Sequence, residues 1–245
     1  KIIDLIIAKK ESLQIDSLDF TDNFVNAARS GSNEICKCFF EKKVPINYEK
    51  LSSQASELGS LDADLLSKIF NNVSPESKER ILGCFNQAIQ KKNKNAVKFL
   101  LKENPSIDHA LLLAVDTKDL ELVEIILEYN SQPSYINKLC PCGTALTIAA
   151  LNNDLPIVNK LLSLPGIDPS IYSSQNMTPL LIAAEKGNIE IINAIIDFYG
   201  DDIQSQKVQI NEALKIILGY PDVYKGSSNG GGPTYATYSG GSTYP

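Results

Sequence analysis

Residues 178–196, TPLLIAAEKGNIEIINAII, read as two short helices joined by a tight turn. Thr178 stands where an N-cap belongs, and Pro179 falls in the first turn, where a missing N–H costs little. Gly187-Asn188 supplies the turn. The second helix then sets Ile189, Ile191, Ile192, Ile195 and Ile196 on one face at helical spacing.

Two upstream segments repeat the pattern. Residues 144–162 read TALTIAALNNDLPIVNKLL and residues 109–127 read HALLLAVDTKDLELVEIIL. The apolar quartet of the second helix sets the register: Ile191/Ile192/Ile195/Ile196, Ile157/Val158/Leu161/Leu162 and Leu122/Val123/Ile126/Leu127. The quartets start at 191, 157 and 122, which gives spacings of 34 and 35 residues. Earlier quartets are Ala96/Val97/Leu100/Leu101, Leu65/Leu66/Ile69/Phe70, Ile35/Cys36/Phe39/Phe40 and Ile2/Ile3/Ile6/Ile7. A weak inner helix is expected around residues 51–58, and others over 24–29 and at Phe85 and Ala88. Internal periods of this size mark stacked solenoids. Small residues hold one register in the first helix: Ala27-Ala28, Ala149-Ala150 and Ala183-Ala184, with Ala88 and Ala114 in the first place of the pair. Larger side chains there would force neighbouring helices apart, an overpacking that costs roughly 1–3 kcal/mol.

These residues resemble the ankyrin-repeat family, with its TPLHxAA inner helix, GH turn, IVxxLL outer helix and GADPN exit. The best matches are Thr178-Pro179-Leu180, Ala183-Ala184, Gly187-Asn188 and the exit Gly166-Ile167-Asp168-Pro169. The resemblance covers roughly residues 1–218, strongly over 109–196 and weakly over 42–95. Thr147 and Leu181 replace the family histidine. The quartets at Ala96 and Leu122 are only 26 residues apart, too few for a normal finger hairpin between them. The resemblance implies an all-α solenoid of stacked helix–turn–helix repeats with short finger loops. About six complete repeats are expected over 1–225, with a half repeat at each end. Residues 2–7 match an outer helix without its inner partner, and residues 211–218 an inner helix without its outer one. The amino end reads as cut rather than capped, and Lys1 in place of Met points to a piece of something longer.

Residues 226–245, GSSNGGGPTYATYSGGSTYP, are a different material, with no charge and no aliphatic side chain larger than Ala. This stretch cannot build a core and reads as a low-complexity tail or a tethered peptide.

Composition limits the function. The chain has 245 residues, with Lys plus Arg at 23 against 29 for Asp plus Glu, a net charge of -6. That balance argues against a nucleic-acid binder, which needs a concentrated basic face. No apolar run reaches the ~18–20 residues that span a bilayer, so no membrane insertion is expected. Five cysteines (Cys36, Cys38, Cys84, Cys140 and Cys142) lack a disulfide-like framework. They suit a reducing compartment, and the cytoplasm is the expected location.

No catalytic constellation is visible, so an enzyme is not expected and no cofactor or metal is called for. His109, the only histidine, falls at the start of an inner helix, where it caps or packs. Cys140-Pro-Cys142 lies in a finger loop and reads as two free, accessible thiols, with metal binding or redox sensing as the alternatives. Lys91, Lys92 and Lys94 read as a solvated turn or as a contact for an acidic partner.

The family pattern, carried over residue by residue, gives a concave surface that binds a partner protein or peptide. On it the resemblance places Arg29, Ser30, Gln90, Lys91, Asp116, Thr117, Leu151, Asn152, Glu185 and Lys186. Finger-loop candidates are Asp108, Cys140, Pro141, Tyr172, Gln175 and Met177. Leu151, Tyr172 and Met177 are the expected anchors, being apolar at solvent-facing places. A further candidate ligand is the chain's own tail, residues 233–245. The rival reading is the regulatory or recruiting region of a larger enzyme whose catalytic part lies elsewhere.

Overall fold

The computed structural model describes residues 19–103, 105–200 and 207–218. The quartet Ile2/Ile3/Ile6/Ile7 and the 226–245 tail lie outside the described residues. In chain order the helices are α1 Thr21–Arg29, α2 Asn33–Glu41, α3 Tyr48–Ser53, a 3-10 helix Ala55–Ser60, α4 Ala63–Phe70, α5 Pro75–Leu82, α6 Phe85–Gln90 and α7 Lys94–Lys102. They continue as α8 Ala110–Asp116, α9 Leu120–Tyr129, α10 Pro133–Ile136, α11 Ala145–Leu151, α12 Leu155–Leu162, α13 Pro179–Lys186, α14 Ile189–Tyr199 and α15 Lys207–Ile217. Among the described residues there is no strand, only an isolated bridge between Cys140 and Gly143.

The helices form two rows. The inner row runs α1, the 3-10 helix, α6, α8, α11, α13, α15, each packed on the next. The outer row runs α2, α4, α7, α9, α12, α14 in the same way. The fold is therefore an all-α solenoid in which six inner–outer pairs are described. Its core is the seam between the rows. The quartets beginning at Leu65, Ala96, Leu122 and Ile157 are buried throughout, and the inner-row alanines Ala28, Ala88, Ala114, Ala149 and Ala183 are buried beside them. Each buried Leu, Ile or Val contributes about 1.5–3 kcal/mol relative to exposure, so the quartets and the inner-row residues they meet together drive the stacking.

One local device sets the start of nearly every outer helix. The residue three places before the quartet is Asp62, Asn93, Asp119, Asp154 or Asn188, and its side-chain oxygen accepts the N–H of the quartet's first residue at 3.0–3.2 Å. Such a cap is worth about 1 kcal/mol. The residue before the cap reverses the chain with positive φ at Lys92, Lys118, Asn153 and Gly187. In the first pair Gly31 plays that part, but the Ser32 hydroxyl makes no cap bond and pairs with Ser30 instead.

The weakly matched region departs from the expected pattern. The inner helix expected around residues 51–58 is split into α3 and the 3-10 helix. Asn47 caps α3 by accepting from Lys50 N–H at 3.0 Å, and the chain leaves helical geometry at Gln54. In the next repeat Ser74 caps α5, with Pro75 in its first turn. Helices α3 and α5 pack on each other and on the inner row, in the place where short finger loops are expected. The quartets also miss at two edges. Ile35 is 47% exposed, and Phe40 and Ile196 are only half-buried. Among the described residues α2 has an outer neighbour on one side only, which leaves Ile35 without a wall to pack against.

Where the chain is too short for a finger, between α7 and α8, Tyr135 of α10 fills the gap. Its hydroxyl accepts the Leu111 N–H at 3.2 Å and donates to the Ile107 carbonyl at 3.1 Å. Burial pushes its phenol pKa upward.

Candidate interaction surface

The candidate residues fall into two belts on the inner row. One belt lies at the carboxyl ends of the inner helices: Arg29 and Ser30 at the end of α1, Gln90 and Lys91 at that of α6, Asp116 and Thr117 at that of α8, Leu151 and Asn152 at that of α11, Glu185 and Lys186 at that of α13. Helix register puts them there, because each first member directly follows the buried small-residue position or lies one place beyond it. All but Thr117 and Asn152 are exposed. Thr117 is turned back, its hydroxyl donating to Ala114 O at 2.7 Å. Asn152 reaches toward the previous inner helix, with its amide 3.5 Å from Val115 O. Arg29 is tied to Glu57 of the 3-10 helix at 2.9 Å.

At the centre of this belt, α11 is buried from Ala145 to Ala150, and then Leu151 emerges 45% exposed. The matching places on the neighbouring inner helices α8 and α13 carry the carboxylates Asp116 and Glu185. A single apolar side chain between two acidic neighbours is the arrangement the sequence pattern brings together.

The second belt is the finger edge. Tyr172 is 41% exposed, and burial followed by the Glu212 carboxylate of α15 pushes its phenol pKa up. Gln175 and Pro141 are exposed, and the Pro141 carbonyl accepts the Ser174 hydroxyl of the following finger. Asp108 is held below the usual carboxylate range by hydrogen bonds from Lys138, at 2.7 Å, and from Ser106.

Two finger candidates differ from expectation. Cys140 is only 7% exposed, because its thiol folds onto the Gly143 carbonyl at 3.0 Å instead of meeting solvent. Met177 is half-buried against the core rather than standing out as an anchor. Sequence reasoning also passed over a cleft where α5 and α6 face residues 106–109. That cleft, about 580 Å³, is lined by Glu79, Phe85, Ser106, Asp108 and His109 among others.

Among the described residues no group of three or more His, Cys, Asp or Glu side chains is arranged to hold a metal ion. None of the described helices is long and apolar enough to cross a membrane.

The family described as ankyrin repeats (3 copies) matches residues 85–173 and, overlapping them, 111–207. The two matches together span 85–207, which is 123 of 245 residues. No curated protein matches the chain.

Proposed function

Because the chain belongs to the ankyrin-repeat family, whose repeats are generally protein–protein interaction modules, we propose that it is a non-catalytic scaffold that binds a partner protein or peptide on the concave surface of its inner row. In this reading residues 1–225 form one array with half repeats at both ends, working in the cytoplasm. The observation that carries the reading is Leu151, exposed at the end of an otherwise buried helix and set between Asp116 and Glu185. Interface energy concentrates in a few apolar anchors ringed by polar groups. A partner that fits offers an apolar or aromatic side chain for Leu151 and basic groups for the flanking carboxylates. Tyr172 at the finger edge provides a second amphipathic contact.

The tail is a second candidate occupant. Residues 233–245, PTYATYSGGSTYP, bring Tyr235, Tyr238 and Tyr244 on a flexible lead, at an effective concentration set by linker length.

The test is affinity capture with the parent chain, with Leu151→Asp and with a control on the outer row, Asn159→Asp. A partner held by the parent and the control, and lost with Leu151→Asp, supports the reading. Titration of the chain ending at residue 225 with the PTYATYSGGSTYP peptide tests the tail. Saturable binding weakened by Tyr→Ala changes supports it, and no binding at millimolar peptide removes it.

A further inference from the structure

Cys140 and Cys142 flank one proline on the turn that leads into α11. Backbone hydrogen bonds cross this turn in both directions, Cys140 N–H to Gly143 O at 3.0 Å and Gly143 N–H to Cys140 O at 2.9 Å. The Cys140 thiol donates to the same Gly143 carbonyl, and the Cys142 backbone N–H and side chain are its other hydrogen-bonding neighbours. Little else fits this shape. Gly143 has φ +111°, and a Cβ there would lie 2.5 Å from Thr147 Cγ2. The Pro141 ring fixes its own φ. The backbone of the turn is therefore closely fixed, with both cysteines on it.

The remaining cysteines are placed differently. Cys36 and Cys38 have the same spacing but lie on helix α2, where residues two apart project to nearly opposite sides. Cys36 and Cys84 are fully buried. Between the turn cysteines, Cys140 is buried and Cys142 half-buried, so Cys142 is the sulfur that a solute meets first. Burial also holds the Cys140 thiol above its usual pKa, which suits it to act second.

We propose that Cys140-Pro141-Cys142 is a reversible dithiol–disulfide site whose co-reactant is a small soluble disulfide of the glutathione type. The Cys142 thiolate attacks one sulfur of the small disulfide, and one small thiolate leaves. The Cys140 sulfur, giving up its proton, then attacks the Cys142 sulfur of the mixed disulfide. The Cys140–Cys142 bond forms and the second small thiolate leaves. Two protein thiols are oxidised, one small disulfide is reduced to two thiols, and these take up the two protons. A tight turn keeps Cα atoms two residues apart near the separation that a disulfide spans. Closing so short a loop removes little chain entropy, so the bond reshapes the turn without stapling the fold. To form it, the Cys140 sulfur must leave Gly143 O. Pro141, whose carbonyl holds Ser174 of the next finger, moves with it. Oxidation thus acts on the finger edge, and the site stands whether or not the inner row binds a partner.

The experiment uses the full chain, folded, equilibrated with excess oxidised glutathione. Remaining thiols are then alkylated, and the digest is read by mass spectrometry. The expected product is one peptide joining Cys140 to Cys142, two hydrogens lighter and restored by dithiothreitol, with Cys36 and Cys84 unreacted. Cys140→Ser, or Cys140→Ala if the serine disturbs the helical circular dichroism, accumulates glutathione on Cys142. Cys142→Ser leaves Cys140 unmodified. Free thiols at both positions after equilibration would overturn the proposal, as would glutathione on Cys38 alone or a bond from Cys140 to any other cysteine.

Discussion

The Asp119 carboxylate accepts the Leu122 N–H at 3.2 Å, and Leu122 is also the first buried residue of its outer helix. Cap and core therefore share one register. The same pairing joins Asp62 to Leu65, Asn93 to Ala96, Asp154 to Ile157 and Asn188 to Ile191. Helix start and core face are set together in each of these repeats, which is why the stack tolerates weak inner helices.

The caps can be removed one at a time. Asp154→Ala leaves the Ile157 N–H without its acceptor and is expected to cost about 1 kcal/mol, whereas Asp154→Asn costs a few tenths at most. Ser32→Ala should cost clearly less than Asp154→Ala, since Ser32 makes no cap bond. Urea unfolding midpoints of the three variants check this, and equal losses at 32 and 154 contradict it.

The reversal before each cap makes a second prediction. Lys118 has φ 56°, a left-handed conformation that costs an ordinary residue about 1–2 kcal/mol. Lys118→Gly removes that strain and gives back part of it as chain entropy. A net gain of a few tenths to about 1 kcal/mol is expected. Gly187→Ala, at φ 67°, should lose a comparable amount although nothing lies within 4 Å of the added Cβ. Thermal unfolding of both variants reads the two signs.

Core and surface of one outer helix should separate widely. Ile192 is buried on α14 and Glu190 is exposed beside it. Ile192→Ala should cost roughly 2–5 kcal/mol, and Glu190→Ala about 0.5 kcal/mol or less. Denaturant melts of equal midpoint would show that the register is wrong.

Acid should loosen the caps that are carboxylates. Burial pushes the Asp119 pKa up, but hydrogen bonds from Lys94 and Leu122 N–H outweigh it, and the folded pKa lies below the ordinary 3.8. A folded pKa below the unfolded one gives stability that is present above the unfolded value and lost as pH falls through the folded one. Asp119→Asn keeps an acceptor for Leu122 N–H and carries no such dependence. Its urea midpoint should therefore fall less than the parent's between pH 5 and pH 3.

The sequence revealed the fold wherever pattern and packing agree. From 109 to 196 the quartets, the small-residue pairs and the turns all repeat, and the structure follows them. The region 42–95 was less legible because its inner residues are polar. Residues 52–57 carry Ser, Gln and Glu, and the chain resolves them as α3 and a 3-10 helix. The sequence did contain the signal for α5, in Ser74 as a cap with Pro75 after it, but no quartet accompanied it. Within the surface, register alone put Leu151 and Tyr172 in solvent. The burial of Cys140 and Met177 was hidden, because it depends on how one turn closes on Gly143 and how one side chain lies against the core.

The central claim is that the inner row is the binding surface. It is tested most directly by hydrogen–deuterium exchange on the chain with a captured partner bound. The account predicts that added protection concentrates on 116–117, 151–152, 172–177 and 185–186 and disappears with Leu151→Asp. Protection along the outer helices α9, α12 and α14, unchanged by Leu151→Asp, would contradict it.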